Sequence, residues 1–396
     1  MALMGGIKQL ILVVLLYVIS LSYYCVVEGR GRSISKEEED HLELDKQLRI
    51  LNKPPVKTIQ TKDGDIFDCI NIYEQPAFDH PLLKNHKIQM KPTSSPRILS
   101  DETSSSSSSV DQSLNVLKRF DCPEKTVPIR RTSREDLIRA KSFSESFNNG
   151  GIRPMLSDEP GQHVTILKSR DNHQFYGVRG TINTATPNVV NDQFSSSQVW
   201  IEAGPADDIN TIHTGWAVAP SLFGDNKARV FVYWNAKPSK GCFNLLCPGF
   251  VQVDKDLTVG TVIDKISEYG GTQFDIDFLL FQDNVTGYWW LRAGKEEKDI
   301  GQSGTFVAWG GLVRTGSSGS SSPPMGNGHF PDHDFYKACS VIHMQVVDAT
   351  NTLVDIKESE TEIHTDSTSC YLLEYDGLIK EQGKSFLFGG PGGNQC

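Results

Sequence analysis

The chain has 396 residues, of which 22% are charged, with a formal net charge of -10 and a pI near 5.5. Nucleic-acid binding requires a concentrated basic surface, and this acidic composition excludes a nucleic-acid partner. The length suits one large domain plus an accessory region, because single cores stop growing at roughly 250–300 residues.

Residues 1–29 have the pattern of a secretory signal peptide. Lys8 is a basic flank, an apolar run extends from Leu10 to Ile19, and small residues near Gly29 offer a cleavage site. The run is shorter than the roughly 20 residues that span a bilayer, which makes a retained membrane anchor the weaker alternative. We therefore expect a secreted, extracellular protein with no membrane contact after signal removal.

Residues 30–155 are predicted to form a mixed, partly helical pro-segment. Ser35 and Glu38 stand at capping-box spacing before leucines that recur on one helical face, which predicts an amphipathic helix. Thr132 and Glu135 form a second such pair and predict a short helix after it.

A serine-rich stretch near residues 94–113 has almost no apolar side chain to bury and is predicted to be flexible and exposed. The sequence between Asn148 and Gly161 is glycine-rich at its start, and we expect any maturation cut there.

Residues 160–396 are predicted to form an all-β domain, an antiparallel β-sandwich. Short runs of β-branched and aromatic residues alternate with Gly, Asn and Asp at the spacing typical of such sandwiches. The run RVFVYW is apolar on both faces and predicts a central strand, and the turn at Asp283 and Asn284 predicts a hairpin.

Outside the leader, the cysteines predict a disulfide framework with one thiol left over. The two cysteines closest in sequence suit a disulfide within one loop, and the last two can attach the C-terminus to the domain. The first two would link the parts of the pro-segment on either side of its serine run. The predicted pairs are Cys242 with Cys247, Cys370 with Cys396, and Cys69 with Cys122, which leaves Cys339 as a buried free thiol.

Asn284-Val285-Thr286 is a glycosylation sequon on a predicted turn, which suits an exposed site in a secreted protein. The stretch HFPDHD, from His329 to Asp334, is dense in donor atoms, but Pro331 breaks helical spacing and a loop without a metal is favoured. We expect neither a metal nor a cofactor.

Common hydrolase and nucleotide-binding signatures are absent from the sequence. Two stretches before residue 140, however, resemble the activation peptide of the neprosin family of glutamic peptidases, and later motifs resemble its peptidase domain in the family's order. The first two are DGDIFDCINIYEQPAFDHPLLKNHKIQMKP and CPEKTVPIRRTSREDL, and the later ones are GCFNLLCPGFVQV, YGGTQFDI, YWWL, WGG, MGNGHFP and GGPGGNQC.

The resemblance implies a secreted zymogen whose mature domain is a sandwich of two curved sheets, with two glutamates in a cleft. Members resemble acid-active endopeptidases that cleave after proline. One carboxylate would take a proton from water while the second carboxyl group donates to the carbonyl oxygen and then to the leaving amine.

Both positions that the resemblance assigns to catalytic glutamates hold other residues here. The family pattern I-E-A-G-W is matched by Ile212 to Trp216, which places His213 at the first position, and W-G-G-E is matched by Trp309 to Leu312, which places Leu312 at the second. Leucine cannot transfer a proton, and an ordinary surface histidine would be charged at acid pH, where a base is needed.

Three neighbours of these positions are candidate substrate-cleft residues: Glu202, whose context imitates the first motif, and Trp216 and Trp309, which adjoin the altered positions. We therefore predict a catalytically impaired family member that keeps a cleft for proline-containing peptides or cell-wall material. The alternatives are an acid endopeptidase that uses other carboxylates, such as Glu202 or Asp207, and a storage or structural protein.

Overall fold

The structure, a computed structural model, describes most of the chain from Lys36 onward. The predicted signal peptide, most of the serine-rich stretch and residues 149–160 lie outside the described residues. Among the residues that the structure describes, no helix is long and apolar enough to cross a membrane. The described ranges are 36–83, 86–98, 116–148, 161–170, 173–190, 192–204, 209–235, 241–294, 304–316, 321–380 and 382–396.

The described part of the pro-segment contains two α-helices, two short 3₁₀ turns at Pro76–Asp79 and Pro81–Leu83, and four short strands. Both predicted helices are present, and the second is longer than expected. The elements are α1 (Lys36–Leu51), β1 (Pro55–Gln60), β2 (Ile66–Asn71), β3 (Arg97–Ile98), β4 (Thr126–Arg130) and α2 (Arg134–Asn148). Strands β1, β2 and β4 form a small sheet of their own.

The capping box of α2 lies one residue later than predicted. The backbone N–H of Ser133 donates to Asp136 Oδ2 over 2.8 Å, and the backbone N–H of Asp136 donates to Ser133 Oγ over 3.0 Å. Reciprocal bonds of this kind satisfy amides that the first helical turn leaves unpaired. Ser133 with Asp136 therefore replaces the predicted pair Thr132 with Glu135.

Strands make up most of the regular structure in the rest of the described chain, which confirms the predicted fold class. Two short helical turns, α3 (Pro220–Phe223) and a 3₁₀ turn at Glu358–Glu360, interrupt the strands. The strands are β5 (Gln162–Ser169), β6 (Gly177–Asn183), β7 (Phe194–Ala203), β8 (Asn210–Val218), β9 (Arg229–Asn235), β10 (Cys242–Phe243), β11 (Asp275–Gln282), β12 (Trp289–Ala293), β13 (Phe306–Arg314), β14 (Cys339–Val347), β15 (Thr352–Asp355), β16 (Thr361–Thr365), β17 (Leu372–Ile379) and β18 (Gly383–Gly389).

The strands form two sheets. The seven-stranded sheet has the order β10-β9-β8-β7-β13-β5-β16. The eight-stranded sheet has the order β12-β11-β6-β14-β15-β3, and β18 adds to β14 and pairs with β17. The predicted hairpin is the antiparallel pair β11 and β12, and the RVFVYW run is the inner strand β9.

The main hydrophobic core lies between the two sheets. Alternate residues of β7, β8 and β13 pack against alternate residues of β6, β11 and β14. Because successive side chains of a strand point to opposite faces, the remaining residues of β7, β8 and β13 lie on the outer face of the seven-stranded sheet. That outer face carries the candidate site.

The three predicted disulfides are confirmed, Cys69–Cys122, Cys242–Cys247 and Cys370–Cys396. Cys339 is the free cysteine of the described residues and is buried at the start of β14. Burial raises the pKa of its thiol well above the usual range, so it has little thiolate to act as a nucleophile.

The beginning of the serine-rich stretch is bound to the eight-stranded sheet. Thr352 and Leu353 of β15 pair in parallel with Arg97 and Ile98, and Ser94 Oγ donates to Asp283 Oδ1 over 3.2 Å. This part of the predicted flexible region therefore has fixed partners, which composition alone did not indicate.

Candidate active site

The two altered positions lie on the same outer face of the seven-stranded sheet. His213 of β8 and Ala308 of β13 both pair with Trp200 of β7, while Leu312 of β13 pairs with Ser196, four residues before Trp200. Even spacing along β7 and β13 keeps these side chains on one side of the sheet. The register therefore brings both sequence-predicted positions to one surface.

A row of two glycines and one glutamine separates the two altered positions. Gln198 of β7 pairs with Gly215 of β8 on one side and with Gly310 of β13 on the other. A Cβ at Gly310, where φ is 138°, would lie 2.3 Å from the carbonyl oxygen of Thr165, so no larger residue fits. The glycines therefore allow the neighbouring strands to approach closely, and Gly215, Gln198 and Gly310 form a floor between the two altered positions.

His213 is buried, contrary to the expectation of a surface histidine. It is 2% exposed, its ring stacks on Trp200 with centroids 5.5 Å apart, and it meets the ring of Tyr233 in a T-shaped arrangement with centroids 5.6 Å apart. Its Nε2 has no hydrogen-bond partner among the described residues. Burial lowers the pKa of His213 to about 3, so the imidazole is neutral in moderate acid, which corrects the predicted positive charge.

This buried histidine predicts a measurable loss of stability in acid. The folded pKa is below the ordinary value of 6.5, so between pH 6.5 and about 3 the unfolded chain takes a proton that the folded chain refuses. The free energy of unfolding should fall by about 1.4 kcal/mol per pH unit from this group alone. Replacing His213 with Phe should remove this pH-dependent contribution to the free energy of unfolding.

Urea unfolding of the wild type and His213→Phe at pH 7 and pH 4 measures the effect. Acidification should cost the wild type about 2–3 kcal/mol more than the variant. The matched control is His173→Phe, which removes an exposed histidine and should leave the pH dependence as in the wild type. Equal acid sensitivity of the wild type and His213→Phe would contradict a buried neutral imidazole.

Leu312 is also buried on this face and pairs with Val164 of β5 as well as Ser196. It belongs to a hydrophobic cluster on the outer face that includes Trp200, Phe231 and Tyr233. A hydrocarbon in this position can neither accept a proton from water nor donate one to an amide. The site therefore lacks acid or base chemistry at the second position.

The inner strands of this sheet, β5, β7, β8, β9 and β13, carry a single carboxylate, Glu202. Glu202 pairs with Thr211 and Phe306, one row beyond the row of His213. An acid–base mechanism of the predicted kind needs two carboxyl groups around one water molecule. The described strands also carry Glu362 on this face, in the edge strand β16, where it is ion-paired with Lys168 over 2.9 Å, and Asp207 lies outside the described residues.

The pro-segment covers this face. Phe143 of α2 is buried in the same cluster as Leu312, with its ring centroid 5.7 Å from that of Phe194 and 5.1 Å from that of Phe243. Sequence reasoning did not identify this contact, although the three-residue spacing of Leu137, Ala140 and Phe143 indicates an apolar helix face.

Trp216 and Trp309 point away from this face, which corrects their assignment to the cleft. Both are fully buried between the sheets, where Trp216 Nε1 donates to the carbonyl of Asn183 over 2.8 Å and Trp309 Nε1 to that of Arg179 over 2.7 Å. Each lies three residues from an altered position, and odd spacing in a strand reverses the face. Period-two counting would have shown this from the sequence.

The other candidate positions lie elsewhere. Asn284 is exposed in the turn between β11 and β12, where Ser94 Oγ contacts its side-chain oxygen. His333 contacts Glu374 and Asp376, and the described residues contain no group of three or more His, Cys, Asp or Glu side chains placed to hold a metal ion.

Comparison with known proteins gives two family matches. The family model described as Neprosin matches residues 191–391, and the model described as Neprosin activation peptide matches residues 58–178. Two similar solved structures are a scytalidoglutamic peptidase with a peptide-based transition-state analogue and a peptidase of the eqolisin family with the tripeptide Ala-Ile-His. The first is 12% identical, covers 58% of this chain and 97% of that chain, and has a TM-score of 0.32. The second is 10% identical, covers 58% and 96%, and has a TM-score of 0.30.

Proposed function

Because this chain belongs to the Neprosin family and carries both its activation peptide and its peptidase domain, we propose that it is a secreted zymogen-like protein without effective peptidase activity. The observation that carries the proposal is the outer face of the seven-stranded sheet, where His213 and Leu312 stand at the positions that the resemblance assigns to glutamates. Glu202 is the one carboxylate in the inner strands of this sheet, β5, β7, β8, β9 and β13.

The chemistry follows from the protons that these groups can move. A buried imidazole with a pKa of about 3 is a weaker base than an ordinary glutamate, and leucine transfers no proton. General acid–base assistance contributes typically about 10²–10⁴-fold to a rate, and here both partners are replaced. Water at this site has no adequate activator, and the leaving amine has no acid.

The same surface supports binding as the retained function. With the activation segment displaced, the floor of Gly215, Gln198 and Gly310 would be open to an extended chain, and aromatic residues such as Trp200 and Phe194 surround that floor. Proline-containing peptides suit such a surface because an extended proline-rich segment binds aromatic grooves at low entropic cost. Cell-wall material is the second ligand class to screen.

The alternative function is an acid endopeptidase that uses other carboxylates. Glu202 lies on the required face, but the alternative needs a second carboxyl group within reach of the same water molecule. The other carboxylate on this face of the described strands, Glu362, stands in the edge strand β16, three strands from β7, and is ion-paired with Lys168, which favours a binding protein over an enzyme.

A peptidase assay on purified wild-type protein tests the proposal. The activation segment is cut from the peptidase domain at an engineered site and separated from it in denaturant. The peptidase fragment is returned to native buffer, its refolding is checked by circular dichroism, and it is incubated with a denatured proline-rich substrate between pH 3 and 6. We expect cleavage no faster than in a blank. Cleavage that co-purifies with the protein through repeated columns and resists inhibitors of serine, cysteine, aspartic and metallo-peptidases would overturn it.

A further inference from the structure

We propose that the activation segment, residues 48–148, stays bound to the peptidase domain as a second chain after a cut between α2 and β5. Residues 48–396 form one compact unit. The inference concerns the interface between the two parts and does not depend on whether His213 and Leu312 leave the protein inactive. Four separate sets of contacts across that interface support it.

The first set is a buried ion cluster. Arg229 of β9 is 1% exposed, and its Nη1 lies 2.7 Å from Asp65 Oδ2 of the activation segment, while its Nη2 lies 2.6 Å from Asp225 Oδ2. Arg130 Nε binds the other oxygen of Asp65 over 2.8 Å. Departure of the segment would leave a buried guanidinium with half of its charge partners, which is costly.

The second set centres on Gln75, which is buried against the peptidase domain. Its Nε2 donates to the carbonyl of Gln252 over 2.9 Å, and its Oε1 accepts from the backbone N–H of Gln252 over 2.7 Å. The next residue but one, Ala77, packs with Phe281 and Trp290 in a shared hydrophobic cluster. Removal of the segment would expose these aromatic rings to water.

The third set fastens residues 89–98 in an extended form. Asp283 accepts hydrogen bonds from Gln89 Nε2 over 2.9 Å, from the backbone N–H of Thr93 over 2.7 Å and from Ser94 Oγ over 3.2 Å. The carbonyl of Asn351 accepts from the N–H of Arg97 over 2.9 Å, where β3 joins β15. Main-chain pairing of this kind is a recurrent way to bind an extended peptide.

The fourth set is the cover that Phe143 provides over the outer face. In addition, the disulfide Cys69–Cys122 joins the parts of the activation segment on either side of residues 99–115. A cut within 99–115 would therefore not separate those two parts from each other. Ion pairs, buried amides, strand pairing and apolar packing together make this interface resemble a domain interior.

The test starts from the folded full-length protein. Residues within 149–160 are replaced by the recognition sequence of a site-specific protease, the protein is cut at pH 7, and the products are applied to a size-exclusion column. We expect both fragments to co-elute at the position of the uncut chain and to separate only in denaturant. Elution of the smaller fragment by itself in native buffer would overturn the proposal.

Variants of the cut protein test which contacts hold the fragments together. Asp65→Asn and Asp283→Asn should each raise the dissociation constant roughly tenfold or more, because each leaves buried donors poorly satisfied. The matched control is Glu124→Gln, which removes an exposed ion pair with Lys255 across the same interface and should change little. If an aspartate variant fails to fold, Asn351→Gly replaces it. Glycine tolerates the φ of 56° at this position, and the substitution removes the hydrogen bonds from Asn351 Nδ2 to Ser94 Oγ and to the carbonyl of Ser95, each over 3.3 Å. Equal weakening by the control and the aspartate variants would contradict the assigned contacts.

Discussion

The double variant His213→Glu, Leu312→Glu should gain acid peptidase activity. It restores a carboxyl group at each position that the resemblance assigns to catalysis, on either side of the floor formed by Gly215, Gln198 and Gly310. Because acid and base assistance contributes typically about 10²–10⁴-fold, we expect at least about 10²-fold faster cleavage than in the wild type. The assay is cleavage of a denatured proline-rich protein between pH 3 and 6, with the activation segment displaced.

Each single variant should stay near the wild-type rate, because residues that act as a unit are strongly non-additive. The geometric control is Ala217→Glu, Ala308→Glu, which places two carboxyl groups on the same strands and face but on the opposite diagonal of the floor. It should remain inactive. A folded double variant that cleaves no faster than this control would exclude the two positions as the lost dyad.

Arg229→Met should destabilise the protein more than any exposed charge change. The substitution removes the guanidinium between Asp65 and Asp225 and leaves two carboxylates without their main partner. Breaking a buried pair from one side costs about 3–5 kcal/mol. Urea unfolding at pH 7 measures the loss. Lys255→Met is the control, since its ion pair with Glu124 is exposed to solvent and should contribute little to stability.

The difference between Arg229→Met and the wild type should also depend on pH. Burial opposes ionisation of Asp65, but hydrogen bonds and charges from Arg229 and Arg130 outweigh it and hold the pKa of Asp65 below its usual value. The stabilisation is therefore present above the ordinary aspartate pKa and is lost as the pH falls through the folded value. A loss below about 1 kcal/mol at pH 7 would contradict the ion cluster as a main support of the interface.

Contacts within one part of the chain were largely readable from the sequence. Spacing and composition predicted the β-sandwich, the β11–β12 hairpin and all three disulfides, because strands and turns have local patterns and each disulfide joins two cysteines that are consecutive along the chain. The helix α2 was predicted, but its length and its cap at Ser133 were not, since neighbouring Ser and Thr offer equivalent side-chain oxygens.

The sequence by itself determined which residue types stand at the two family positions, since His213 and Leu312 can be identified without coordinates. Tertiary structure alone decided that His213 is buried and neutral, that Phe143 covers this face, and that Asp65 neutralises Arg229, 164 residues away. A strand's period of two states which side chains share a face, but which face meets solvent depends on distant segments. Burial then sets the pKa, and with it the chemistry that the site can perform.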